Sequence, residues 1–481
     1  MYYPTIEEVK KLKNQGNLIP VYREIVADLE TPVSAFLKIA EGDYAFLLES
    51  VEGGERLARY SFIGADPYLV LRLNDSNGDP LIPIEAELKK YKVVPVRGLP
   101  PFHGGAVGYL GYETARHFEK LPAPERDPLG LPESVFMFAD TVLVFDHLSH
   151  KIKVVSHAHL HNGDVEKAYK EATERIDALV RKLNRPLDSN RGKPNGKAAK
   201  AATSNMSQAQ YESIVAHAKE HIVAGDIIQA VLSQRLSKQT SAQPFDIYRS
   251  LRSINPSPYM YYLKLNDCHI IGTSPELLVR VENGVVATHP IAGTRPRGHD
   301  AEQDATYEKE LKADIKEQAE HIMLVDLGRN DIGRIAEPGS VEVTQFMDVE
   351  RYSHVMHLVS HVQGKLRSDL SPFAALRACF PAGTVSGAPK IRAMEIIAGL
   401  EPDKRGPYAG AVGYFSFSGN LDTAITIRTI VMKDGTAHVQ AGAGIVYDSV
   451  PEREHQECLN KARALMKAIE VAEEAYATAD R

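Results

Sequence analysis

Two short acidic patterns in this chain contain the residue types that bind a divalent metal ion. Glu317 and Glu320 are three residues apart, as are Glu454 and Glu457, and Lys461 follows four residues later. Side chains at these spacings lie on one face of a helix. Mg²⁺ prefers hard oxygen ligands and typically takes one or two carboxylates together with water and substrate oxygens. If the two helices converge, Glu320 and Glu457 can ligate Mg²⁺ directly, with Glu317 and Glu454 behind them through water.

Spacing alone leaves a simpler interpretation open. Each acidic pair can belong to a solvated helix face, with Glu457 and Lys461 forming an ordinary ion pair worth about 0.3 to 0.5 kcal/mol. Convergence of the two helices therefore decides whether these residues bind a metal ion.

The first acidic pair lies in a segment with a clear helical pattern. Ile315, Ala319 and Ile322 recur at helical spacing, and Gly328 follows them. The pattern predicts a helix that packs through this apolar stripe and ends at Gly328.

A glycine-rich segment, FPAGTVSGAPKIRAMEII at 380–397, could bind an anion. It predicts a turn that leads into a helix, with Ser386 as the cap and Pro389 in the first turn. Free N–H groups at such a helix start favour an anion. The glycine and lysine spacing of a P-loop is not met. The segment therefore permits a carboxylate but does not imply a nucleotide.

Three further segments place polar groups near strand ends. They contain Tyr408, Arg428 and the glycines of 442–444, which supply a hydroxyl, a guanidinium and backbone N–H groups. Such a set suits a small dicarboxylic acid. Alternatively, Arg428 makes a structural ion pair, the glycines mark a bulge, and His357 is an ordinary hydrogen-bonded histidine.

Composition excludes several functional classes. The chain has 481 residues and a formal charge of -7, with acids and bases well mixed, which argues against a nucleic-acid partner. The three cysteines, Cys268, Cys379 and Cys458, are widely spaced, so we predict reduced thiols and no zinc site. No signal peptide and no run of about 18 apolar residues is visible. We expect a cytoplasmic protein that does not contact a membrane.

The elements that must position these residues are mixed in type. Strand-like runs cluster, and hairpin signals such as Lys-Asp-Gly at 433–435 join neighbours, which favours antiparallel sheets and an α+β fold. A Gly-, Ser-, Asn- and Lys-rich stretch predicts a linker at 188–205. We therefore expect one domain at 1–187 and another at 206–481.

One phrase occurs twice along the chain. GGAVGYLGY at 104–112 is similar to AGAVGYFSF at 409–417. Either the two halves contain related sheets that pack together, or the match is chance.

Taken in order, several phrases match one family. The chain resembles the chorismate-utilising enzymes, and among them the anthranilate synthase component I family, through LLESVEGGERLARYSFIG at 47–64, PIAGTRPRG at 290–298, EHIMLVDLGRNDIGRI at 320–335, RYSHVMHLVS at 351–360, FPAGTVSGAPKIRAME at 380–395 and QAGAGIVYDSVPEREHQECLNKA at 440–462. The resemblance implies large antiparallel β-sheets packed together with flanking helices. It also implies that 1–187 is a regulatory domain and 206–481 the chorismate-binding catalytic domain.

The resemblance implies roles for the polar residues. Glu320 and Glu457 would bind Mg²⁺ with Glu317 and Glu454 in its outer shell, and Glu276 would be the general acid with His357 as a candidate base. The residues implied to contact the substrate are Gly293, Thr294, Thr384, Tyr408, Arg428, Gly442, Ala443, Gly444 and Lys461.

Two positions discriminate among the relatives. Enzymes of the family that add water to C2 of chorismate resemble this chain but carry a lysine base where this chain has Gln229, and an amide cannot remove the proton of water. Enzymes that aminate C4, the aminodeoxychorismate synthases, commonly carry a nucleophilic lysine where this chain has Ala292. Both positions favour amination at C2, which gives anthranilate and pyruvate. A non-catalytic, tryptophan-sensing relative would lack the carboxylates.

The resemblance extends to a regulatory site and to a partner. It implies that tryptophan is bound, as an allosteric inhibitor, by Glu49, Ser50, Arg59, Asn255, Pro258, Tyr259 and Met260, although these segments alone would suggest only a strand edge and a turn. No glutaminase nucleophile motif is present, so ammonia must come from free ammonium or from a glutamine amidotransferase subunit. Cys458 replaces the threonine usual after the metal-binding glutamate, and we expect it to be sensitive to thiol reagents.

Overall fold

A computed structural model describes residues 1–50, 59–74, 78–160, 163–187, 201–352 and 355–479. In these residues the α-helices are α1 Ile6–Leu12, α2 Pro32–Ile39, α3 Leu81–Leu88, α4 Val165–Leu183, α5 Gln208–Val223, α6 Pro244–Ile254, α7 Ala301–Ala313, α8 Ile315–Gly333, α9 Pro372–Cys379, α10 Lys390–Leu400 and α11 Pro451–Ala479. Short 3₁₀ helices span Tyr112–His117 and Gly383–Val385.

The strands of the described residues are β1 Leu18–Val26, β2 Tyr44–Glu49, β3 Tyr60–Ala65, β4 Leu69–Leu73, β5 Gly105–Leu110, β6 Ser134–Ala139, β7 Thr141–Asp146, β8 Lys151–His159, β9 Thr203–Ser204, β10 Gln229–Gln239, β11 Tyr259–Leu265, β12 Cys268–Ser274, β13 Leu277–Glu282, β14 Val285–Thr288, β15 Ile291–Pro296, β16 Glu342–Arg351, β17 Val355–Lys365, β18 Gly387–Ala388, β19 Ala411–Ser416, β20 Leu421–Ile425, β21 Thr429–Lys433 and β22 Thr436–Ile445.

These strands form two antiparallel sheets. The larger has the order β1-β8-β7-β3-β2-β11-β12-β21-β22-β10-β18, with β9 added on β10. The smaller has the order β15-β17-β14-β13-β20-β19-β5-β6-β4, with β16 added on β17. The pairs β2–β11 and β5–β19 join strands from before and after 188–205. Both sheets are therefore built from both ends of the chain.

The predicted linker is described only in its last residues. Residues 188–200 lie outside the described part of the chain, whereas Thr203–Ser204 pair with β10 in the larger sheet. The predicted division into 1–187, 188–205 and 206–481 remains a prediction.

The packing confirms an α+β fold of sheets with flanking helices. One apolar core lies between the two sheets, where Phe46 and Ile270 of the larger sheet meet Val107 and Val412 of the smaller. A second core joins the outer face of the larger sheet to α2, α4, α6 and α11. A third joins the outer face of the smaller sheet to α3, α8, α9 and α10. The helices that carry the two acidic patterns thus cover different sheets.

The duplicated phrase has a simple structural position. Its two copies form β5 and β19, which pair directly in the smaller sheet, with Gly108 opposite Gly413. A Cβ at either glycine would come within about 2 Å of a carbonyl oxygen on a neighbouring strand, Val135 O at 1.9 Å for Gly108 and Asp422 O at 2.1 Å for Gly413. The two copies therefore lie side by side in one sheet, and the glycine of each allows a close approach to its other neighbouring strand, β6 for Gly108 and β20 for Gly413.

The bounds of α8 correct two predictions from the sequence. The helix continues through Gly328 to Gly333, and Gly328 is buried against Thr288 and Pro290. Gly328 allows close packing inside the helix and does not end it. The predicted stripe is also wrong, because Ile315 is 81% exposed and Ile322 is 51% exposed. The buried face carries His321, Leu324, Val325, Asp331 and Ile332.

Two general expectations can be compared with the described residues. All three cysteines are buried and free, as predicted. Among the helices that the structure describes, none combines the length and the apolar character needed to cross a bilayer.

Candidate active site

A large cavity of about 900 Å³ lies between α8, α11 and the end of the larger sheet. Most of the predicted site residues line it. They are Gln229, Glu276, Gly293, Thr294, Glu317, Glu320, Thr384, Tyr408, Arg428, Gly442, Gly444, Glu454, Glu457 and Lys461. We call this space the main cavity.

Two helices bring the acidic patterns to the main cavity. Asp314 caps α8 by accepting hydrogen bonds from the backbone of Lys316 and Glu317, which fixes the first turn and its glutamates. In α11 the buried side chains Cys458, Ala462 and Leu465 face the cores. The adjacent face of α11 therefore presents its acidic pattern to the cavity.

Burial and mutual repulsion act on these carboxylates. The pKa of Glu320 is raised first by burial and then by the charge of Glu317. Burial also raises the pKa of Glu454, with a further contribution from Glu457. Arg295 lies 3.5 Å from Glu317 and Lys461 lies 2.7 Å from Glu457. A divalent cation would offset the remaining negative charge.

The donor set fits Mg²⁺. Among the described residues no group of three or more His, Cys, Asp or Glu side chains is arranged to hold a metal ion by itself. Mg²⁺ does not require such a group, because it usually keeps several waters and binds one or two carboxylates plus substrate oxygens. Glu320 and Glu457 offer that number of hard oxygen ligands across one cavity.

Glu276 has the environment of a proton donor. It lies in the turn between β12 and β13 and is 9% exposed. Burial raises its pKa to about 8, although the hydrogen bond from Thr384 Oγ1, at 2.9 Å, and the charge of Lys461 oppose the shift. The carboxyl group therefore carries its proton at neutral pH and can act as a general acid.

Gln229 opens β10 at the wall of the main cavity and is 5% exposed. Gly444 on the neighbouring β22 leaves room for it, because a Cβ at Gly444 would lie 2.4 Å from Gln229 Nε2. The absence of a side chain at Gly444 on β22 thus leaves the space that the amide of Gln229 on β10 occupies.

His357 lies beside the main cavity and does not line it. Its Nδ1 is 2.8 Å from the carbonyl oxygen of Gly293 and 3.1 Å from Thr294 Oγ1. A carbonyl oxygen can only accept, so Nδ1 carries the hydrogen and Nε2 is left as the proton acceptor. Burial lowers the pKa of His357, which favours the neutral base.

Groups that suit an anion collect on another wall. Tyr408 and Arg428 line the cavity there, and Arg428 has the positive φ of 50° at the end of a strand. Lys461 Nζ donates to Gly442 O at 2.9 Å.

The pairing of β22 with β10 shows that the backbone N–H groups of Gly442, Ala443 and Gly444, which the resemblance implied as donors to the substrate, do not all point the same way. Ser233 N bonds to Glu401, away from β22, so the pair Ser233–Gly442 is not hydrogen-bonded across the ladder. Ladder pairs alternate. The N–H groups of Gly442 and Gly444 therefore point away from β10. The backbone N–H of Ala443 instead points toward β10, where it pairs with Leu232, and the Ala443 side chain is fully buried. Ala443 is consequently not placed to donate to a ligand.

The glycine-rich segment 380–397 differs from its predicted form. The helix begins at Lys390 with Pro389 as its cap residue, and no side chain caps it. Ser386 is fully buried and donates to Ala382 O at 2.8 Å, so the prediction of Ser386 as the cap is wrong. Thr384, in the 3₁₀ turn before it, is the member of this segment that meets Glu276.

A second cavity of about 410 Å³ lies near the junction of β2 and β11. Most of the residues predicted to bind tryptophan line it. Glu49, Ser50, Arg59, Pro258, Tyr259 and Met260 line it. Asn255 does not; its side chain donates to Thr273 Oγ1 at 3.0 Å. We call this space the regulatory cavity after the role predicted for its residues, which remains a prediction.

Some polar atoms of the regulatory cavity are already bonded to the protein, and others are left for a ligand. The Glu49 carboxylate accepts hydrogen bonds from Tyr248 and Arg252, so it is already held by the protein. Ser50 Oγ and Asp422 Oδ1 are buried without a hydrogen-bond partner among the described residues. No local pattern could single out Asp422, because its partner Arg280 is 142 residues away in the sequence.

Sequence reasoning also missed Arg405, which is 1% exposed. It donates to both carboxylate oxygens of Glu401 and to the carbonyls of Val231 and Val385. Its guanidinium lies 5.6 Å from the ring centre of Tyr408. It therefore ties the strand of Gln229 and the turn of Thr384 to Tyr408. Only its closeness to Tyr408 in the sequence could have drawn attention to it.

The prediction that Cys458 reacts with thiol reagents is wrong. Its side chain is 1% exposed and lies 3.1 Å from Tyr211 Oη. Burial raises the pKa of the thiol to about 12, so the reactive thiolate is scarce.

Comparison with known proteins agrees with this geometry. The family described as chorismate binding enzyme matches residues 43–467. Anthranilate synthase component 1 of Acetivibrio thermocellus is 54% identical over 98% of this chain and 100% of that protein. The same component of Pseudomonas aeruginosa is 48% identical over 97% of this chain and 99% of that protein.

A solved structure leads to the same group. The crystal structure of anthranilate synthase component I from Streptococcus pneumoniae has a TM-score of 0.78 and 39% identity, and the match covers 92% of this chain and 98% of that one. Two of the phrases that carry the resemblance, 47–64 and 351–360, are only partly described, because residues 51–58 and 353–354 lie outside the described residues. The chain belongs to the chorismate-binding enzymes and, within that family, to the anthranilate synthase component I group.

Proposed function

We propose that this enzyme aminates chorismate at C2 with ammonia and releases pyruvate, giving anthranilate in an Mg²⁺-dependent reaction that begins tryptophan biosynthesis. The observation that carries the proposal is the position of Glu320 on α8 and Glu457 on α11, which line one cavity together with the buried acid Glu276. A metal anchor and a proton donor are thus available to one small substrate. The identity to relatives named anthranilate synthase component 1 supports the same activity.

The acidic end of the main cavity would hold the ring carboxylate. Mg²⁺ held by Glu320 and Glu457 would anchor that carboxylate and withdraw electron density from the ring, with water around it held by Glu317 and Glu454. Lys461, paired with Glu457 at 2.7 Å, limits the excess negative charge of this wall.

Glu276 would drive the first step. Hydroxide is a poor leaving group, so the C4 hydroxyl must be protonated as it departs. The neutral carboxyl of Glu276 supplies that proton, and the C4 oxygen leaves as water while the nitrogen lone pair forms the bond to C2. Gln229 lines the same cavity and carries an amide that cannot deprotonate water. This favours ammonia as the nucleophile.

His357 would act in the second step. Its Nε2, the proton-accepting nitrogen of the ring, would take the C2 proton while the C3–O bond breaks. The enolpyruvyl group then leaves as the enolate of pyruvate, which takes up a proton to give pyruvate, and the ring becomes aromatic. Tyr408, Arg428 and the N–H groups of Gly442 and Gly444 would hold the enolpyruvyl carboxylate during this elimination.

The alternatives within the family are less consistent with the residues present. Amination at C4 by a covalent route requires a lysine near Gly293 and Thr294, where this chain has the buried Ala292. A tryptophan-sensing relative without activity needs no carboxylates in the main cavity, yet all four predicted glutamates line it.

Tryptophan is proposed to inhibit the enzyme from the regulatory cavity. Its volume of about 410 Å³ lies within the range of small-molecule sites. Asp422 Oδ1 and Ser50 Oγ, both buried without a partner among the described residues, suit the ammonium group of an amino acid. Arg59, which is paired with Asp146 at 3.1 Å, lines the same cavity and would share its guanidinium with the carboxylate of the ligand. The strand β13, which carries Arg280 in this cavity, begins one residue after Glu276. This connection would let binding there alter the active site.

Ammonia is proposed to come from a glutamine amidotransferase subunit. Component 1 in the names of the relatives supports a second component. Two exposed apolar side chains line the main cavity, Ile228 at 62% and Tyr447 at 67% exposed, and α8, which lines the same cavity, carries the exposed Ile315 and Ile322. Apolar side chains exposed together on a surface are typical of protein interfaces, and we propose that α8 belongs to the one that binds the amidotransferase.

A direct assay tests the proposed reaction. Purified enzyme is mixed with chorismate, ammonium and Mg²⁺, and the product is identified by fluorescence and chromatography. We expect anthranilate and pyruvate in equal amounts, with no product when chelator replaces Mg²⁺. Isochorismate or a C4-aminated product would contradict the proposal.

A further inference from the structure

A small cavity lies on the far side of Glu276 from the main cavity. Its volume is about 50 Å³, whereas one water molecule needs about 10 to 15 Å³. Glu276 and Thr384 line both spaces, so these two side chains form the wall between them. A proton on Glu276 can therefore be exchanged on either side of this wall. We call the small space the relay cavity.

Thr288 places an unused polar atom at the relay cavity. Its Oγ1 is buried without a hydrogen-bond partner among the described residues. It faces α8, because a Cβ at Gly328 would lie 3.1 Å from it. Buried polar groups normally have a partner in the protein or in ordered water. A water molecule in the relay cavity would give Thr288 Oγ1 that partner.

Asp331 lines the same cavity from α8 and has no role in the proposed reaction. It is 7% exposed, and Lys390 Nζ donates to its Oδ2 at 2.8 Å. Burial raises the pKa of Asp331, while Lys390 and Arg334 oppose the shift. A second buried carboxyl group thus lines the relay cavity together with Glu276.

Solvent can reach the relay cavity through part of its wall. Glu276 and Asp331 are buried, with exposed fractions of 9% and 7%, whereas Leu327, Ala382 and Gly383 in the wall are half-buried. Chorismate in the main cavity would cover the other face of Glu276. While substrate is bound, the relay cavity therefore offers solvent protons a way to Glu276.

We propose that water in the relay cavity returns a proton to Glu276, with Thr288 and Asp331 as positioning residues for that water. This inference rests on the proposed role of Glu276 as the general acid. Glu276 gives its proton to the C4 oxygen, which leaves as water. The Glu276 carboxylate then takes a proton from water of the relay cavity, and that water regains one from solvent. One solvent proton thus reaches the departing hydroxyl, and the ammonium group formed at C2 releases one proton back to solvent, so the step balances.

Substitution of Thr288 tests the relay with little change in shape. Thr288→Val removes the hydroxyl, and Thr288→Ser keeps it. We expect Thr288→Val to lower kcat about tenfold with KM unchanged, because reprotonation becomes slow. The solvent isotope effect on kcat should rise, imidazolium in the buffer should restore part of the rate, and Thr288→Ser should resemble the wild type. Thr114→Val is the matched control, because Thr114 Oγ1 is also buried without a partner but lies outside both cavities.

Asp331→Asn provides a second variant and should show the same changes. If it does not fold, Thr288→Val still decides the question. A wild-type kcat and isotope effect in Thr288→Val would overturn the relay, and so would a lower kcat without a larger isotope effect or rescue. Wild-type enzyme that forms no anthranilate would overturn the proposed function itself, which is a separate and recognisable result.

Discussion

At the scale of single residues, the burial of Glu276 has two opposite effects: it keeps a proton available for the proposed reaction, and it lowers the stability of the fold as the pH rises. Its burial raises its pKa to about 8, which keeps the proton that its proposed role as general acid requires. The folded state then binds a proton that the unfolded chain releases above its ordinary pKa. Stability from this group is therefore present at low pH and is lost as the pH rises through this window toward 8.

Glu276→Gln is expected to separate activity from stability. The amide keeps the shape but cannot donate a proton as an acid, so kcat should fall by about a hundredfold or more. Removal of the ionisable group should stabilise the fold at pH 7 by up to about 3 kcal/mol. Anthranilate assays and thermal unfolding at pH 5 and pH 7 measure the two effects. A variant that loses both activity and stability would indicate a structural role instead.

The pH profile follows from the same residue. Wild-type kcat should fall as the pH rises through about 8, because the acid form of Glu276 disappears. The profile of kcat between pH 6 and pH 9.5 measures this. A rate that stays constant to pH 9.5 would exclude Glu276 as the rate-limiting acid.

At the scale of elements, the pairing of β10 with β22 positions Gln229. Gly444→Ala would place a Cβ 2.4 Å from Gln229 Nε2. The amide end can move, so we expect a small change in the unfolding temperature but about a tenfold loss of kcat/KM. Gly399→Ala on α10 is the control, because a Cβ there meets no atom within 4 Å, and it should keep full activity. Equal activity of both variants would show that the position of Gln229 does not matter.

The same scale explains what the sequence could and could not predict. The helical spacing of the acidic residues predicts that each pair shares one helix face, and both pairs line the main cavity, but spacing does not specify which residues face the interior. Ile315 and Ile322 were assigned to the core, yet they are exposed, while polar His321 and Asp331 are buried. Gly328 resembled a helix end, but it is a packing contact with Thr288. These errors share one cause: tertiary contacts override local pattern.

At the scale of the whole molecule, contacts between distant segments determine the site. Arg405 N and Gly406 N donate to Glu113, so the turn that carries Arg405 is fixed by the first part of the chain. No local pattern could reveal this, because the residues are 292 and 293 positions apart. The regulatory cavity likewise depends on β2 and β11 being neighbours. The sequence points to β2 and β11 only through family resemblance, and the resemblance does not point to Arg405.

Arg405→Met is expected to lower the free energy of unfolding strongly. It leaves the buried Glu401 carboxylate without its cation, and loss of one partner of a buried ion pair typically costs about 3 to 5 kcal/mol. The denaturant midpoint should fall, and Arg126→Met on the exposed side of Asp403 should change it little. Similar midpoints for the two variants would contradict the assigned importance of Arg405.

Tryptophan inhibition is the second prediction at this scale. Ser50→Phe should fill part of the regulatory cavity, so tryptophan should no longer inhibit, while the rate without tryptophan stays close to that of the wild type. Inhibition curves with and without the substitution measure this. Undiminished inhibition would place the tryptophan site elsewhere.

The amidotransferase interface can be tested by comparing two nitrogen sources. Ile315→Asp with Ile322→Asp should reduce glutamine-dependent activity and leave ammonium-dependent activity unchanged, because only the former needs the partner. Leu29→Asp, also at an exposed apolar residue, is the control. Equal loss with both nitrogen sources would argue against an interface on α8.

The most direct test of the account is the Mg²⁺ dependence of anthranilate formation in Glu320→Gln, Glu457→Gln and the control Glu452→Gln, an exposed residue in the first turn of α11. We predict that the first two variants fold normally but lose Mg²⁺-dependent turnover by about a hundredfold or more, while the control responds to Mg²⁺ as the wild type does. Full Mg²⁺-dependent rates in both Glu320→Gln and Glu457→Gln would contradict the claim that α8 and α11 hold one metal ion between them.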